Sequence, residues 1–149
     1  MTRKTRRHLT DAPAHAVQIV REYGPFADHV HGITYDGSHV WAARRPKLVA
    51  FDPGTGKPTR TIDRIGDAGT AFDGKYLYQI TEARIDKIDP ATGEVVASIP
   101  APGHGRDSGL AWSEGRLWVG STAIARSTRS ILKPGWSCAP SSPTASSPA

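Results

Sequence analysis

The chain has 149 residues, a formal net charge of +5, 15 glycines and 12 prolines, and a hydrophobic fraction of 38%. That length suits one domain with a modest core, and so many turn formers favour short elements over long helices. The single cysteine, Cys138, excludes an intramolecular disulfide framework and a cysteine-based zinc site, and no run is apolar enough to span a bilayer.

The first residues carry Arg3, Lys4, Arg6 and Arg7. They read as a basic disordered arm over 1–14. No aromatic residue interleaves with these arginines, so a nucleic-acid platform is not expected. The arm also lacks the apolar run of a secretion signal, and the expectation is a soluble cytoplasmic protein with no membrane partner. Residues 17–23 alternate in hydrophobicity and stop at Gly24-Pro25, which predicts a strand.

A repeat follows. One copy reads Gly32-Ile-Thr-Tyr-Asp-Gly-Ser-His-Val-Trp41, then Leu48-Val-Ala-Phe-Asp-Pro-Gly-Thr-Gly56, then Thr61-Ile62. The next reads Gly69-Thr-Ala-Phe-Asp-Gly-Lys-Tyr-Leu-Tyr78, then Ile85-Asp-Lys-Ile-Asp-Pro-Ala-Thr-Gly93, then Ser98-Ile99. The Asp-Gly turns start at Asp36 and Asp73 and the Asp-Pro turns at Asp52 and Asp89, each pair 37 residues apart. Two landmarks sharing one period define a true repeat.

Each copy divides into four short strands. In the first copy they are Gly32 to Tyr35, His39 to Ala43, Lys47 to Phe51 and Thr59 to Ile62. Asp-Gly is expected to form a two-residue hairpin turn, both residues tolerating positive φ. Asp-Pro-x-Thr-Gly is the next turn. Four antiparallel strands per repeat of this length are the mark of a propeller blade. A β-helix coil is shorter, and a leucine-rich repeat needs a helical segment. The segment 17–23 then suits an N-terminal strand that completes the last blade of a closed ring.

A third copy opens at Ser108-Gly-Leu-Ala-Trp-Ser-Glu-Gly-Arg-Leu-Trp118. The fold expected is all-β: an incomplete β-propeller over 15–120, with two four-stranded antiparallel blades, half a third, and disordered termini. With no blade after it, the third copy is expected to expose Leu110, Trp112, Leu117 and Trp118.

After Gly120 the pattern stops, and 121–149 read as a disordered tail rich in Ser, Pro, Ala and Thr. Shifted by one base, however, the triplets from Ser127 to Ser141 permit Ile-His-Gln-Ile-Asp-Pro-Glu-Thr-Gly-Met-Val-Leu-Arg-Thr-Ile. The second copy reads Ile-Asp-Lys-Ile-Asp-Pro-Ala-Thr-Gly-Glu-Val-Val-Ala-Ser-Ile from Ile85 to Ile99. The tail is therefore expected to be a frameshifted segment, in which Trp136 and Cys138 have no evolved role.

In a propeller, ligands gather where the innermost strands begin. The connections into those strands are 27–31, 65–69 and 103–108. They carry His31, His104 and Asp107 as acid–base candidates, and His29, Asp67, Arg106 and Ser108 as ligand-binding candidates, with Asp28 beside them. His29 and His31, two apart, would point the same way on a strand. No metal site and no cofactor are expected. Asp36, Asp73 and Glu114 read as turn residues, and Trp41, Tyr78 and Trp118 as blade packing.

His31-Gly-Ile-Thr, Leu77-Tyr-Gln-Ile-Thr81, Ile88-Asp-Pro-Ala-Thr-Gly93 and Gly109-Leu-Ala-Trp with Leu117-Trp-Val-Gly120 resemble the YVTN-type propellers. Within that group the sequence is most similar to the glutamine cyclotransferase (glutaminyl-peptide cyclotransferase) family, over about 17–120. Virginiamycin B lyase-like propellers share the His-Gly-Ile and Ile-Asp-Pro-x-Thr-Gly runs. The cyclotransferase resemblance implies a transferase that cyclises N-terminal glutamine. Two departures stand out: His31-Gly32-Ile33 replaces that family's Gln-Gly-Leu, and Ala68-Gly69-Thr70 replaces its Gly-Glu-Gly. The second-blade acid is missing, and Asp107 is the acidic candidate at the third blade.

Two functions compete. One is a cyclotransferase-like propeller whose longer parent acts on a peptide N-terminus and whose present form is inactive. The other is a non-enzymatic propeller that binds a small molecule or protein partner at its channel mouth. A virginiamycin B lyase-like reading is weaker, because it needs blades beyond these. Open blade edges predict self-association.

Overall fold

The computed structural model describes residues 17–122 and the backbone of 127–130. All of the basic arm (1–14) and most of the tail therefore lie outside the described residues. The elements are eleven short strands in three antiparallel sheets.

The first sheet runs β1 (Val30–Tyr35), β2 (Val40–Arg44), β3 (Lys47–Phe51) and β4 (Pro58–Ile62) in sequence order. The second runs β5 (Thr70–Phe72), β6 (Leu77–Thr81), β7 (Arg84–Ile88) and β8 (Val95–Pro100) in the same way. The third contains β9 (Asp107–Ser113), β10 (Arg116–Ser121) and β11 (Ser127–Ser130). β11 is one strand more than the half blade expected there. Its backbone pairs with β10 through Leu117↔Ser130 and Gly120↔Ser127.

The turns explain why each repeat folds back on itself, and they correct one expectation. In the first two repeats the Asp-Gly loop has four residues, because the last pairs are Tyr35↔Val40 and Phe72↔Leu77. Only the glycines take positive φ, 95° at Gly37 and 98° at Gly74. The aspartates instead act through their carboxylates. Asp36 Oδ1 accepts the Ser38 and His39 N–H groups at 2.8 and 2.6 Å, and Asp73 Oδ1 accepts those of Lys75 and Tyr76 at 2.8 and 2.7 Å. This local capping replaces the strained left-handed aspartate of a two-residue turn. The third repeat does form the two-residue turn, with Glu114 at φ 53° and Gly115 at φ 70° between Ser113 and Arg116.

Two apolar cores lie between the sheets. The first joins Trp41, Ala43, Leu48, Ala50 and Ile62 to Leu77 and Ile88. The second joins Ala71, Tyr78, Ile80 and Ile85 to Leu117 and Val119. Each leucine, isoleucine or valine buried this way contributes about 1.5–3 kcal/mol relative to exposure. The third sheet thus turns its apolar residues toward the second. Leu117 is fully buried, Leu110 and Trp112 pack at the edge of the core, and Trp112 stacks on Tyr78 at 5.6 Å. The expected exposure of Leu110, Trp112 and Leu117 is corrected accordingly: a blade's packing residues face its predecessor, which is present.

The first strands of successive sheets meet backbone to backbone through glycines. A Cβ on Gly32 would lie 2.7 Å from the Ala68 carbonyl oxygen, and one on Gly69 would overlap the Leu110 nitrogen. The Gly69 N–H donates to the Ser108 carbonyl at 2.9 Å. This close approach sets β1, β5 and β9 side by side and fixes where their leading ends lie.

The segment 17–23 is not a strand. Among the described residues no strand pairs with it, and Val17 and Val20 are each 94% exposed. Among the described residues no helix is long and apolar enough to cross a membrane.

Candidate functional site

Two of the three innermost strands, β1 and β9, begin with the same irregularity. β1 pairs Val30 with Arg44 and Gly32 with Ala43, which leaves His31 as the extra residue of a β-bulge. β9 pairs Gly109 with Gly120 and Asp107 with Ser121, which leaves Ser108 as the extra residue. Each stands immediately before the glycine that touches, or would touch, the next sheet. Bulges at strand rims re-aim side chains, and both of these are exposed. Ala68 holds the equivalent place in the second sheet and is 9% exposed. His31, Ala68 and Ser108 therefore occupy one end of three adjacent inner strands.

His29 lies ahead of β1 and is exposed. The bulge at His31 interrupts the alternation between the two, so their spacing does not make them a strand pair.

Asp107 is 8% exposed at the start of β9. Its Oδ2 accepts the Gly103 N–H at 2.9 Å, and its Oδ1 has no hydrogen-bond partner among the described residues. Gly103 is required here, because a Cβ would run into the Asp107 carboxylate. The loop ahead of it is compact. The His104 N–H donates to the Ala101 carbonyl at 3.3 Å with His104 at φ 50°, and its side chain is exposed. The Arg106 carbonyl accepts the Thr122 N–H at 2.9 Å and the Ser121 hydroxyl at 3.2 Å, which ties the loop to the end of β10. The Ser108 hydroxyl donates weakly to the Gly120 carbonyl at 3.4 Å.

Asp67 stands two residues before Gly69, as Asp107 stands two before Gly109. Its carboxylate forms an ion pair with Arg45, and Asp28 pairs with Arg44 at 2.8 Å. These two acids are engaged in holding the ends of the first and second sheets.

The same region contains a residue that the sequence reading quoted only inside the Leu77-Tyr-Gln-Ile-Thr81 run and gave no role. Gln79 is fully buried on β6. Its Nε2 donates to the Ala68 carbonyl at 3.2 Å and the Ile80 carbonyl at 2.8 Å, while its Oε1 lacks a partner among the described residues. A buried amide on β6 thus holds the connection into β5 that carries Ala68. Its signals in the sequence were its place in the Leu77-Tyr-Gln-Ile-Thr81 run and its polarity between Tyr78 and Ile80.

Carboxyls held below their ordinary range occur in the turns. At Asp52 the chief cause is the Thr55 N–H, followed by the Thr55 hydroxyl. Among the described residues, no three His, Cys, Asp or Glu side chains gather as a metal site.

The architecture is similar to solved propellers. Glutaminyl cyclase from Myxococcus xanthus superimposes with a TM-score of 0.58 at 16% identity, covering 70% of this chain and 55% of that one. This chain is part of a β-propeller. The RRP9 WD40 repeats superimpose with a TM-score of 0.52 at 15% identity, covering 72% and 40%. The designed protein Ika4 does so with 0.51 at 13%, covering 76% and 79%. This partial propeller spans about half the length of the glutaminyl cyclase it matches. No family model matches it, and no curated protein matches it.

Proposed function

We propose that this chain is the leading part of a YVTN-type, glutamine cyclotransferase-like propeller whose reading frame breaks near Ser121. Its parent binds a peptide N-terminus where the inner strands begin. The recurrent bulge that presents His31 on β1 and Ser108 on β9, the inner strands either side of β5, beside the partly satisfied carboxylate of Asp107, is the observation that supports a binding mouth there. His29, His104 and Arg106 line its rim and Asp67 braces it.

Cyclisation needs little from the protein. The terminal amine attacks its own side-chain amide carbon, the new C–N bond closes the ring, and the old C–N bond releases ammonia. One amine proton must reach the departing nitrogen, and a carboxylate or imidazole can carry it. Asp107, His31 and His104 are the groups assigned to that transfer. The chain as given lacks the blades that would surround the substrate, and it is expected to be inactive.

The register of β11 supports the broken frame. In the second sheet Leu77 pairs with Ile88 and Ile80 with Ile85, while in the third Leu117 pairs with Ser130 and Gly120 with Ser127. The shifted reading puts isoleucine at both serine positions.

The test is to sequence the DNA past codon 120, express the frame-continued protein, and measure ammonia loss from a glutaminyl peptide by mass spectrometry. Turnover that Asp107→Asn removes without unfolding the protein is expected. An open frame with no turnover would favour the second reading, a binding propeller. That alternative draws support from the engagement of Asp67 by Arg45 and from alanine at position 68.

A further inference from the structure

The segment 17–23 docks on the first sheet as an outer strand docks on the blade that follows it. Arg21 donates to the Gly54 carbonyl at 2.8 Å, and the Tyr23 hydroxyl donates to the Pro53 carbonyl at 2.7 Å. The Tyr23 ring lies 5.0 Å from Phe51. One repeat later Arg60, on the outer strand β4, donates to the Ala91 carbonyl, at the place in its turn that Gly54 holds in the first. The segment therefore stands where the fourth strand of a preceding blade would stand.

The rest of that blade is absent from the described residues. Ile33 and Tyr35 of β1 are 62% and 54% exposed. Their counterparts in the second sheet are covered: Thr70 is 3% exposed, and Phe72 packs on the first core. At the other end the third sheet has three strands among the described residues. A Cβ on Gly109 would meet nothing within 4 Å, whereas those on Gly32 and Gly69 would collide with the following sheet.

We propose that a second copy of this chain fills both gaps. Residues 17–23 of one copy add to β11 of the other as its fourth strand, and β1 of the first copy packs against Gly109 of the second. The strand counts are complementary, and two copies of three blades form a ring of six, within the usual range of propellers. A single three-blade chain is too small to close on itself. The contact is head to tail and is used twice, which closes the pair rather than propagating a fibre. Unpaired strand edges supply the hydrogen bonds. The inference stands on strand placement and not on the activity proposed above.

Sedimentation equilibrium on the full chain tests it. A concentration-dependent dimer is expected. The double variant Val17→Asp/Val20→Asp should weaken dimerisation roughly tenfold or more, with an unchanged melting profile at concentrations where both proteins are monomeric. Both side chains are exposed in the single chain, so its fold does not depend on them. A chain that stays monomeric at high concentration would overturn the proposal. A dimer indifferent to the double substitution, or an open-ended polymer, would do the same.

Discussion

The Trp41 indole donates to Oδ2 of Asp36 at 2.7 Å, across the loop that joins β1 to β2. One repeat later the Tyr78 hydroxyl donates to Asp73 Oδ2 at 2.9 Å. Each aspartate thus uses one oxygen to cap its loop and the other to hold the aromatic residue that fills the core between blades. Turn and core are specified together, which explains why aspartate and an aromatic five residues on recur in both repeats.

Asp36 gives the acid-side prediction. Its partial burial opposes ionisation, but the His39 N–H, the Trp41 indole and the Ser38 N–H outweigh that, and the carboxyl sits below its ordinary 3.8. A depressed carboxyl contributes stability that is fully present above the unfolded value and lost as pH falls through the folded one. Urea unfolding should therefore show stability declining below about pH 4, with a flatter decline in Asp36→Asn. Asp36→Ala should cost about 1–3 kcal/mol at neutral pH, because it strands the half-buried indole donor.

The inner-strand glycines should respond unequally to the same substitution. None of Gly32, Gly69 and Gly109 has positive φ, so alanine tests space alone. Gly69→Ala should destabilise by about 1–3 kcal/mol or more, because the added methyl overlaps backbone. Gly109→Ala should stay within about 0.5 kcal/mol at concentrations where the chain is monomeric. Equal losses in chemical denaturation would show that the contact between inner strands is not what these glycines serve.

Much of this architecture is legible in the residues. β3 spans the five residues that the repeat gives as the third strand of its first copy, and the Asp-Pro turns fall where Pro and Gly place them. The bulges at His31 and Ser108 are not legible, because a bulge is fixed by register against a neighbouring strand and leaves no composition signal. Segment 17–23 carries a strand's pattern without a strand's partner, and pattern alone cannot supply the ladder. Gln79 reads as an ordinary polar strand residue, and its burial and its bond to the Ala68 carbonyl depend on the chain that leads into β5.

Tyr78 should resist alkaline titration. Burial, then its bond to Asp73 and that residue's charge, raise the phenol above its ordinary 10.0. Ultraviolet titration should find Tyr78 still protonated when exposed tyrosines have ionised, a component missing in Tyr78→Phe. The raised phenol contributes stability that is complete below about pH 10 and lost as pH climbs toward the folded value. Tyr78→Phe should cost about 1 kcal/mol at neutral pH, the net worth of a half-buried hydrogen bond.

β11 separates the broken frame from a designed strand. Its register gives Ser130 the position of Ile88, which packs in the core against the preceding sheet, and gives Ser127 the position of Ile85, which faces the following one. The following blade is absent from the described residues. At concentrations where the chain is monomeric, Ser130→Ile should accordingly stabilise it by about 1.5–2 kcal/mol, while Ser127→Ile should change it by less than about 0.5 kcal/mol. Thermal melts of the two variants distinguish the positions. A neutral Ser130→Ile would mean that β11 does not occupy the third-strand place of its blade, and the register argument for a shifted frame would fall with it.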